Sequence, residues 1–148
     1  MSLFPAALKP SDLGLPDGRY ANAYIYDPIN GNDSNPGTSF ARSLKTLEAA
    51  YAKATTDQND VIVAVGGATA DNPAAAITWS KSYTHLVGLS APLYGLGQRS
   101  RVVTQAAIAV TPAITFSGNG NIVKNIQFSN EKAAGSAAGC VAITGLRN

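Results

Sequence analysis

Two carboxylates and six basic side chains are the acid–base groups that the chain carries after residue 60. The carboxylates are Asp71 and Glu131, roughly sixty residues apart and each in a predicted turn. Glycoside hydrolysis needs two carboxyl groups about 5 to 9.5 Å apart, one of them protonated. Among the basic residues, Lys132 directly follows Glu131, and the others have no acidic neighbour in the sequence: Lys81, Arg99, Arg101, Lys124 and Arg147. This segment therefore predicts no catalytic residue.

A single cysteine and a single histidine are the remaining groups that could form a nucleophile and its base. Cys140 opens the apolar run 140–143, where a buried small hydrophobe is expected. His85 falls within a predicted strand and is expected to be a hydrogen-bonded or exposed polar residue, not a ligand. Because there is one cysteine, an internal disulfide is excluded.

A turn-rich stretch at residues 27–37 contains oxygen-bearing side chains that could bind calcium. An EF-hand loop needs alternating oxygen ligands and a bidentate glutamate at position 12. Counting from Asn30, that position is Ala41, so the pattern fails. We expect Asx turns around Asn30, Asn32 and Asp33, and we predict neither a metal nor a cofactor.

Trp79 and Tyr83 flank Lys81, and two aromatic rings beside a cation could form a platform for stacking a sugar. They are the candidate carbohydrate-binding residues. The alternative is that Trp79 packs in the core and Tyr83 lies in a turn.

Charge and hydropathy exclude several classes of partner. The net charge of +2 comes from eleven basic and nine acidic residues, which are scattered along the chain. Since no basic stripe could follow a phosphate backbone, nucleic acid is not expected. The first ten residues lack the basic and uninterrupted apolar regions of a signal peptide, and no stretch is long enough to insert into a membrane.

Residues 1–22 are predicted to form an extended arm, because three prolines and two glycines fall within them. The arm carries five large apolar residues, and we predict that these make intermolecular contacts on assembly: Leu3, Phe4, Leu8, Leu13 and Leu15.

One amphipathic helix is predicted from Ser43, its N-cap, to about Thr56. Its apolar stripe contains Leu44, Leu47, Tyr51 and Ala54, at helical spacing. After Asp60 the pattern changes to short apolar runs of strand length separated by turns, at residues 61–65, 76–79, 84–89, 101–104, 113–116, 121–128 and 140–144.

An internal repeat indicates how these strands are arranged. Residues 114–118 and 141–145 match at an offset of 27: apolar, small, apolar, hydroxyl, glycine. One coil of a parallel β-helix takes a similar length, so Ile114 should stack on Val141 and Phe116 on Ile143 in parallel strands. We therefore predict an all-β fold, a right-handed parallel β-helix (solenoid) over residues 23–148, with the helix capping its first coil. A β-sandwich built from hairpins is the alternative. Since the repeat points to a further strand after Asn148, we expect more coils in a longer protein.

Four segments resemble the first part of pectate-lyase-like right-handed parallel β-helix proteins: YIYDP at 24–28, GNDSNPGT at 31–38, LKTLEAA at 44–50 and DVIVAV at 60–65. The resemblance implies an extended strand, a turn, a capping helix and the first β-helix strand. It is specific for fold and weak for function, because such proteins include lyases, hydrolases, adhesins and phage tailspikes.

The function predicted on these grounds is that of a bacteriophage virion structural protein. It would be a head (capsid) decoration or the base of a spike or fibre, assembled in the host cytoplasm. We expect the chain to form a homotrimer, to contact other virion proteins and to bind a host surface polysaccharide. The alternative is a polysaccharide lyase or glycoside hydrolase whose active site lies in later coils, and a non-viral surface adhesin is a third.

Overall fold

In the described part of the chain, the fold is built from short strands, one α-helix and two 3-10 helices. A computed structural model describes residues 10–15, 21–67, 73, 75–90, 100–104, 112, 114–130 and 140–146. The 3-10 helices are Pro10–Leu13 and Phe40–Arg42, and the α-helix, α1, is Leu47–Lys53. The strands are β1 (Ala23–Tyr26), β2 (Asp60–Ala64), β3 (Ile77–Trp79), β4 (Thr84–Gly88), β5 (Arg101–Thr104), β6 (Ile114–Phe116), β7 (Val123–Lys124), β8 (Gln127–Asn130) and β9 (Val141–Ile143).

The strands form three small sheets, and every pairing between them is parallel. The first sheet has the order β1-β2-β4-β7, the second β3-β6-β9 and the third β5-β8. Parallel neighbours need a long connection, and here each connection passes through another sheet or through α1. From β3 onward the chain visits the second, first and third sheets in turn, so β7, β8 and β9 are the last strands of the three sheets.

The predicted fold class is wrong. The described residues have mixed α/β content, with helical segments beside short parallel strands that are divided among three small sheets, and no all-β solenoid is evident. The prediction rested on local apolar runs and on one internal repeat. Those runs identify strands, but they could not reveal the 3-10 helix Pro10–Leu13, which forms where an extended arm was expected.

The pairing predicted from the internal repeat is confirmed. Ile114 pairs with Val141, and Phe116 with Ile143, in parallel register between β6 and β9. The sandwich alternative required antiparallel hairpins, whereas the pairings among the described strands run parallel. A match of apolar and small residues at a fixed offset therefore located true strand neighbours, although the fold class drawn from it failed.

The helix is shorter than its apolar stripe predicted. Thr46, not Ser43, is the N-cap, and its side chain accepts a hydrogen bond from Ala49 N at 3.2 Å. Leu44 lies before the helix and bridges to Tyr26 in parallel β fashion. At the other end Lys81 Nζ donates to the Tyr51 and Ala54 carbonyls at 2.6 Å each. These bonds satisfy carbonyls that a helix terminus otherwise leaves unpaired.

The turn that leads into α1 is held by two carboxylates. Asp27 accepts hydrogen bonds from Ile29 N and Asn30 N, as an Asx turn does. Asp33 accepts from Lys45 N at 2.8 Å and from Thr46 N at 3.0 Å, which fixes the start of the helix. Gly31 must be glycine, because a Cβ there would overlap the Leu44 carbonyl.

Apolar side chains form two clusters, one on each face of the first sheet. The inner cluster lies between the three sheets and α1 and has these buried members: Tyr26, Leu44, Leu47, Ala50, Ala54, Ile62, Ala64, Ile77, Trp79, Leu86, Val102, Ile114 and Phe116. The outer cluster lies under the N-terminal segment and contains Leu15, Ile25, Val61, Val63 and Val87. The predicted helix stripe therefore does face the core.

Candidate functional site

The two candidate carbohydrate-binding residues do not share a surface. Trp79 is 0% exposed, its Nε1 donates to Thr84 Oγ1 at 2.7 Å, and its ring packs against Tyr51 and Phe116. Tyr83 is exposed, with a left-handed backbone (φ 49°) in the turn before β4. In this structure Trp79 offers no ring face to a sugar, and it occupies the core position that was the alternative interpretation.

The possible nucleophile and base are engaged with different partners. Cys140 Sγ lies 3.5 Å from the Ser129 carbonyl. His85 is buried, and its Nδ1 accepts a hydrogen bond from Ile122 N at 3.2 Å. A nitrogen that accepts cannot carry a proton, so Nε2 holds it and donates to Asn59 Oδ1 at 3.3 Å. His85 therefore joins the loop before β2 to the residue before β7.

Burial lowers the pKa of His85 below its ordinary value, and this predicts a loss of stability in acid. A lowered folded-state pKa means that the unfolded chain takes up the proton first, so stability is complete above about pH 6.5 and falls below it. Protonation also removes the acceptor for Ile122 N, at a cost of about 1–3 kcal/mol.

Urea unfolding at pH 7.5 and pH 5.0 measures this effect, with His85→Leu as the control because the chain has one histidine. We expect the midpoint of wild type to drop at pH 5.0 by more than that of His85→Leu. Equal drops would contradict the assigned hydrogen bonds.

The acids that sequence analysis weighed, Asp71 and Glu131, lie outside the described residues. Sequence reasoning did not single out Asp60, which is the most heavily bonded buried carboxylate that the structure describes. It accepts from Asn22 N and Thr55 N at 2.7 Å each. Its charge adds to burial in raising the pKa of Tyr24. Because its partners come from the segments before β1 and after α1, Asp60 ties the first elements together and is not free for catalysis.

Among the residues that the structure describes, no group of three or more His, Cys, Asp or Glu side chains is placed to hold a metal ion. No helix in the described part of the chain is long and apolar enough to cross a membrane.

The five apolar arm residues divide into two groups. Leu13 and Leu15 belong to the described 3-10 helix and its exit, and both pack against the outer cluster of their own chain. Leu3, Phe4 and Leu8 lie outside the described residues. The structure thus packs Leu13 and Leu15 against their own chain, and the intermolecular contact of Leu3, Phe4 and Leu8 stays a prediction.

The most distinctive surface of the molecule is formed by the last strands of the three sheets. We define the end face as the sides of β7, β8 and β9 on which the described part of the chain places no further strand, with the cavity between them. The cavity has a volume of about 230 Å³. Its lining is almost entirely apolar: Phe116, Asn121, Val123, Phe128, Val141 and Ile143.

The end face is apolar because side chains of the inner cluster stack at equivalent positions of paired strands, and these stacks end at exposed residues of the last strands. In one row the exposed fraction rises from 0% at Trp79 to 3% at Phe116 and 63% at Ile143. Leu146, just after β9, is 75% exposed. Single exposed apolar residues are ordinary, but a contiguous group beside strand edges is a surface that further polypeptide can cover.

The end face can bind a protein segment through two kinds of contact. An added strand can pair with the outer edge of β9, and the cavity accepts apolar side chains. Lys124 is the charged side chain that the described strands place there. Sequence reasoning missed this surface, because the apolar pattern of β9 is the same as that of a buried strand.

Comparison with protein-family models, curated proteins and solved structures gave no match for this chain.

Proposed function

We propose that this chain is a structural protein of a bacteriophage virion, either a head decoration or the base of a spike or fibre. In this proposal it assembles with copies of itself, as a trimer, and with other virion proteins. The observation that supports the proposal is the end face, which combines the outer edges of parallel strands with an apolar cavity.

The chemistry of the end face suits assembly better than catalysis. Catalysis requires groups that donate, accept or attack at the reacting atoms. The cavity is lined by five apolar side chains and Asn121, whose Oδ1 already accepts from Thr84 N at 3.0 Å. Protein–protein interfaces, by contrast, have an apolar centre depleted of charge. We therefore assign the end face to contact with protein.

Replacing Ile143 by aspartate is expected to abolish assembly. A carboxylate buried in an apolar interface without a partner costs several kcal/mol, and each 1.4 kcal/mol weakens binding tenfold. We expect incorporation of Ile143→Asp into virions to fall at least about tenfold. The measurement is quantitative mass spectrometry of virions purified from a host that supplies the tagged variant.

Ile29→Asp is the matched control, because Ile29 is 49% exposed but lies in the turn after β1, at the opposite edge of the first sheet. It should enter particles as wild type does. If wild type is absent from purified virions, the virion function is wrong. If Ile143→Asp enters as well as Ile29→Asp does, the end face is not the assembly surface.

A further inference from the structure

The sequence Asn-Gly-Asn occurs twice in the chain, at residues 30–32 and 119–121. In an Asn-Gly pair the backbone nitrogen of glycine can attack Cγ of the asparagine, because no Cβ obstructs its approach. The nitrogen–Cγ bond forms and the Cγ–Nδ2 bond breaks, and the proton lost by the glycine nitrogen balances the one that the departing ammonia takes up. Water then opens the cyclic imide at either carbonyl and gives aspartate or isoaspartate.

The first pair is held in a way that opposes this reaction. Asn30 Nδ2, the leaving nitrogen, donates to Asp27 Oδ2 at 3.0 Å. Gly31 N, the attacking nitrogen, donates to the Asp27 carbonyl at 2.9 Å. The glycine also has little room to move, since a Cβ on it would overlap the Leu44 carbonyl. Both reacting nitrogens are therefore tied to one residue of a tightly packed turn.

The second pair is held in the opposite sense, through the side-chain oxygen. Asn119 is exposed, and its Oδ1 accepts from Leu146 N at 2.8 Å. Because a backbone N–H can only donate, the atom that faces it is the oxygen and not the leaving nitrogen. Negative charge develops on that oxygen as the glycine nitrogen attacks Cγ, and an N–H donor already aimed at it stabilises the charge.

The attacking nitrogen of the second pair is only weakly held. Gly120 N donates to the Leu146 carbonyl at 3.3 Å, longer than the usual limit of about 3.2 Å for such a bond. The backbone of Leu146 thus holds the asparagine oxygen firmly and the glycine nitrogen loosely. Neighbours on the other side hold the turn as well, since Asn119 N donates to Ser82 Oγ at 3.1 Å and the Asn119 carbonyl accepts from Tyr83 N at 2.9 Å.

From this contrast we propose that Asn119 is a site of spontaneous deamidation through Gly120, whereas Asn30 resists the same reaction in the folded protein. Either product lowers the net charge of +2 by one unit. An aspartate at this position keeps an oxygen that accepts from Leu146 N. An isoaspartate adds a methylene to the backbone and displaces the carbonyl that accepts from Tyr83 N, so it loosens the turn before β7.

Peptide mapping by mass spectrometry tests the proposal on the full-length chain, incubated at pH 8 with and without urea. The unfolded chain is the internal control, because both sites have the same Asn-Gly-Asn sequence and should react at similar rates in urea. In the folded chain we expect Asn119 to react about tenfold faster than Asn30, the factor that one or two hydrogen bonds are worth. Equal rates in the folded chain, or an Asn119 that reacts only in urea, would overturn the proposal.

Labelling with an isoaspartate-specific methyltransferase identifies the site independently. Asn119→Gln should remove most of the label from the incubated folded protein, because glutamine forms the corresponding six-membered ring far more slowly. Asn30→Gln is the matched control and should leave the label unchanged. A label that survives Asn119→Gln would place the reaction elsewhere in the chain and contradict the assignment.

Discussion

Leu47→Asp should unfold the protein or cost it roughly 3–5 kcal/mol, within the range for large buried substitutions. Leu47 is 0% exposed and is the first residue of α1, where the helix packs on β1 and β2. An aspartate there would be buried among Tyr26, Leu44 and Ile62 without a partner, and it would leave a void in place of the leucine.

Ala52→Asp is the matched control, because it introduces the same charge at an exposed position of the same helix. Its cost should stay below about 1 kcal/mol, the combined effect of helix propensity and the helix dipole. Urea unfolding of both variants compares them. If Leu47→Asp unfolds at the same midpoint as Ala52→Asp, α1 does not close the inner cluster.

Trp79→Ala should be equally damaging, at about 3–5 kcal/mol. Trp79 is the largest fully buried side chain in the described structure, and it contacts rings on both sides, with centroids 4.6 Å away at Tyr51 and 5.4 Å away at Phe116. Its removal leaves a cavity and deprives Thr84 Oγ1 of its donor.

Trp79→Phe and Tyr83→Ala complete this test. The phenylalanine keeps most of the packing but loses the hydrogen bond, so an intermediate loss is expected. Tyr83 is 46% exposed, and its replacement by alanine should cost less than about 1 kcal/mol. A stable Trp79→Ala variant that no longer binds a polysaccharide bound by wild type would restore the sugar platform and refute the core assignment.

The sequence predicted those features of the fold that depend on local pattern. The stripe of Leu44, Leu47 and Ala54 identified side chains that are buried in the inner cluster. The match of residues 114–118 with 141–145 identified neighbouring strands, since equivalent positions in paired parallel strands face the same environment. In both cases, apolar spacing along the chain was sufficient.

The features of the fold that the sequence did not predict depend on contacts between residues far apart in the chain. Leu44 has helical spacing but pairs with Tyr26, so α1 begins three residues later. Asp60 marked only the change from helical to strand pattern, yet it accepts hydrogen bonds from Asn22, 38 residues earlier. The fold class was wrong for a related reason, because local runs show where strands lie but not how they divide among sheets.

The candidate site was the least predictable part. Val141 and Ile143 read as ordinary core residues, and only the sheet order shows that β9 is the last strand of its sheet. For Trp79 the error was the reverse. Its place near Lys81 predicted a surface platform, whereas its side chain lies in the core. Whether a side chain is exposed depends on the tertiary structure. The spacing of residues therefore could not have shown that Ile143 is exposed or that Trp79 is buried.

Hydrogen–deuterium exchange of the wild-type protein over a dilution series is the most direct test of the end face as the assembly surface. Residues 141–146 should exchange slowly at high concentration and at least about tenfold faster once dilution or Ile143→Asp separates the copies, because their amides then lose a bound partner. Residues 60–64 of β2, fully buried within one copy, should exchange at an unchanged rate throughout. Exchange of residues 141–146 that stays the same at every concentration, while light scattering reports a change of mass, would show that the copies associate through another surface.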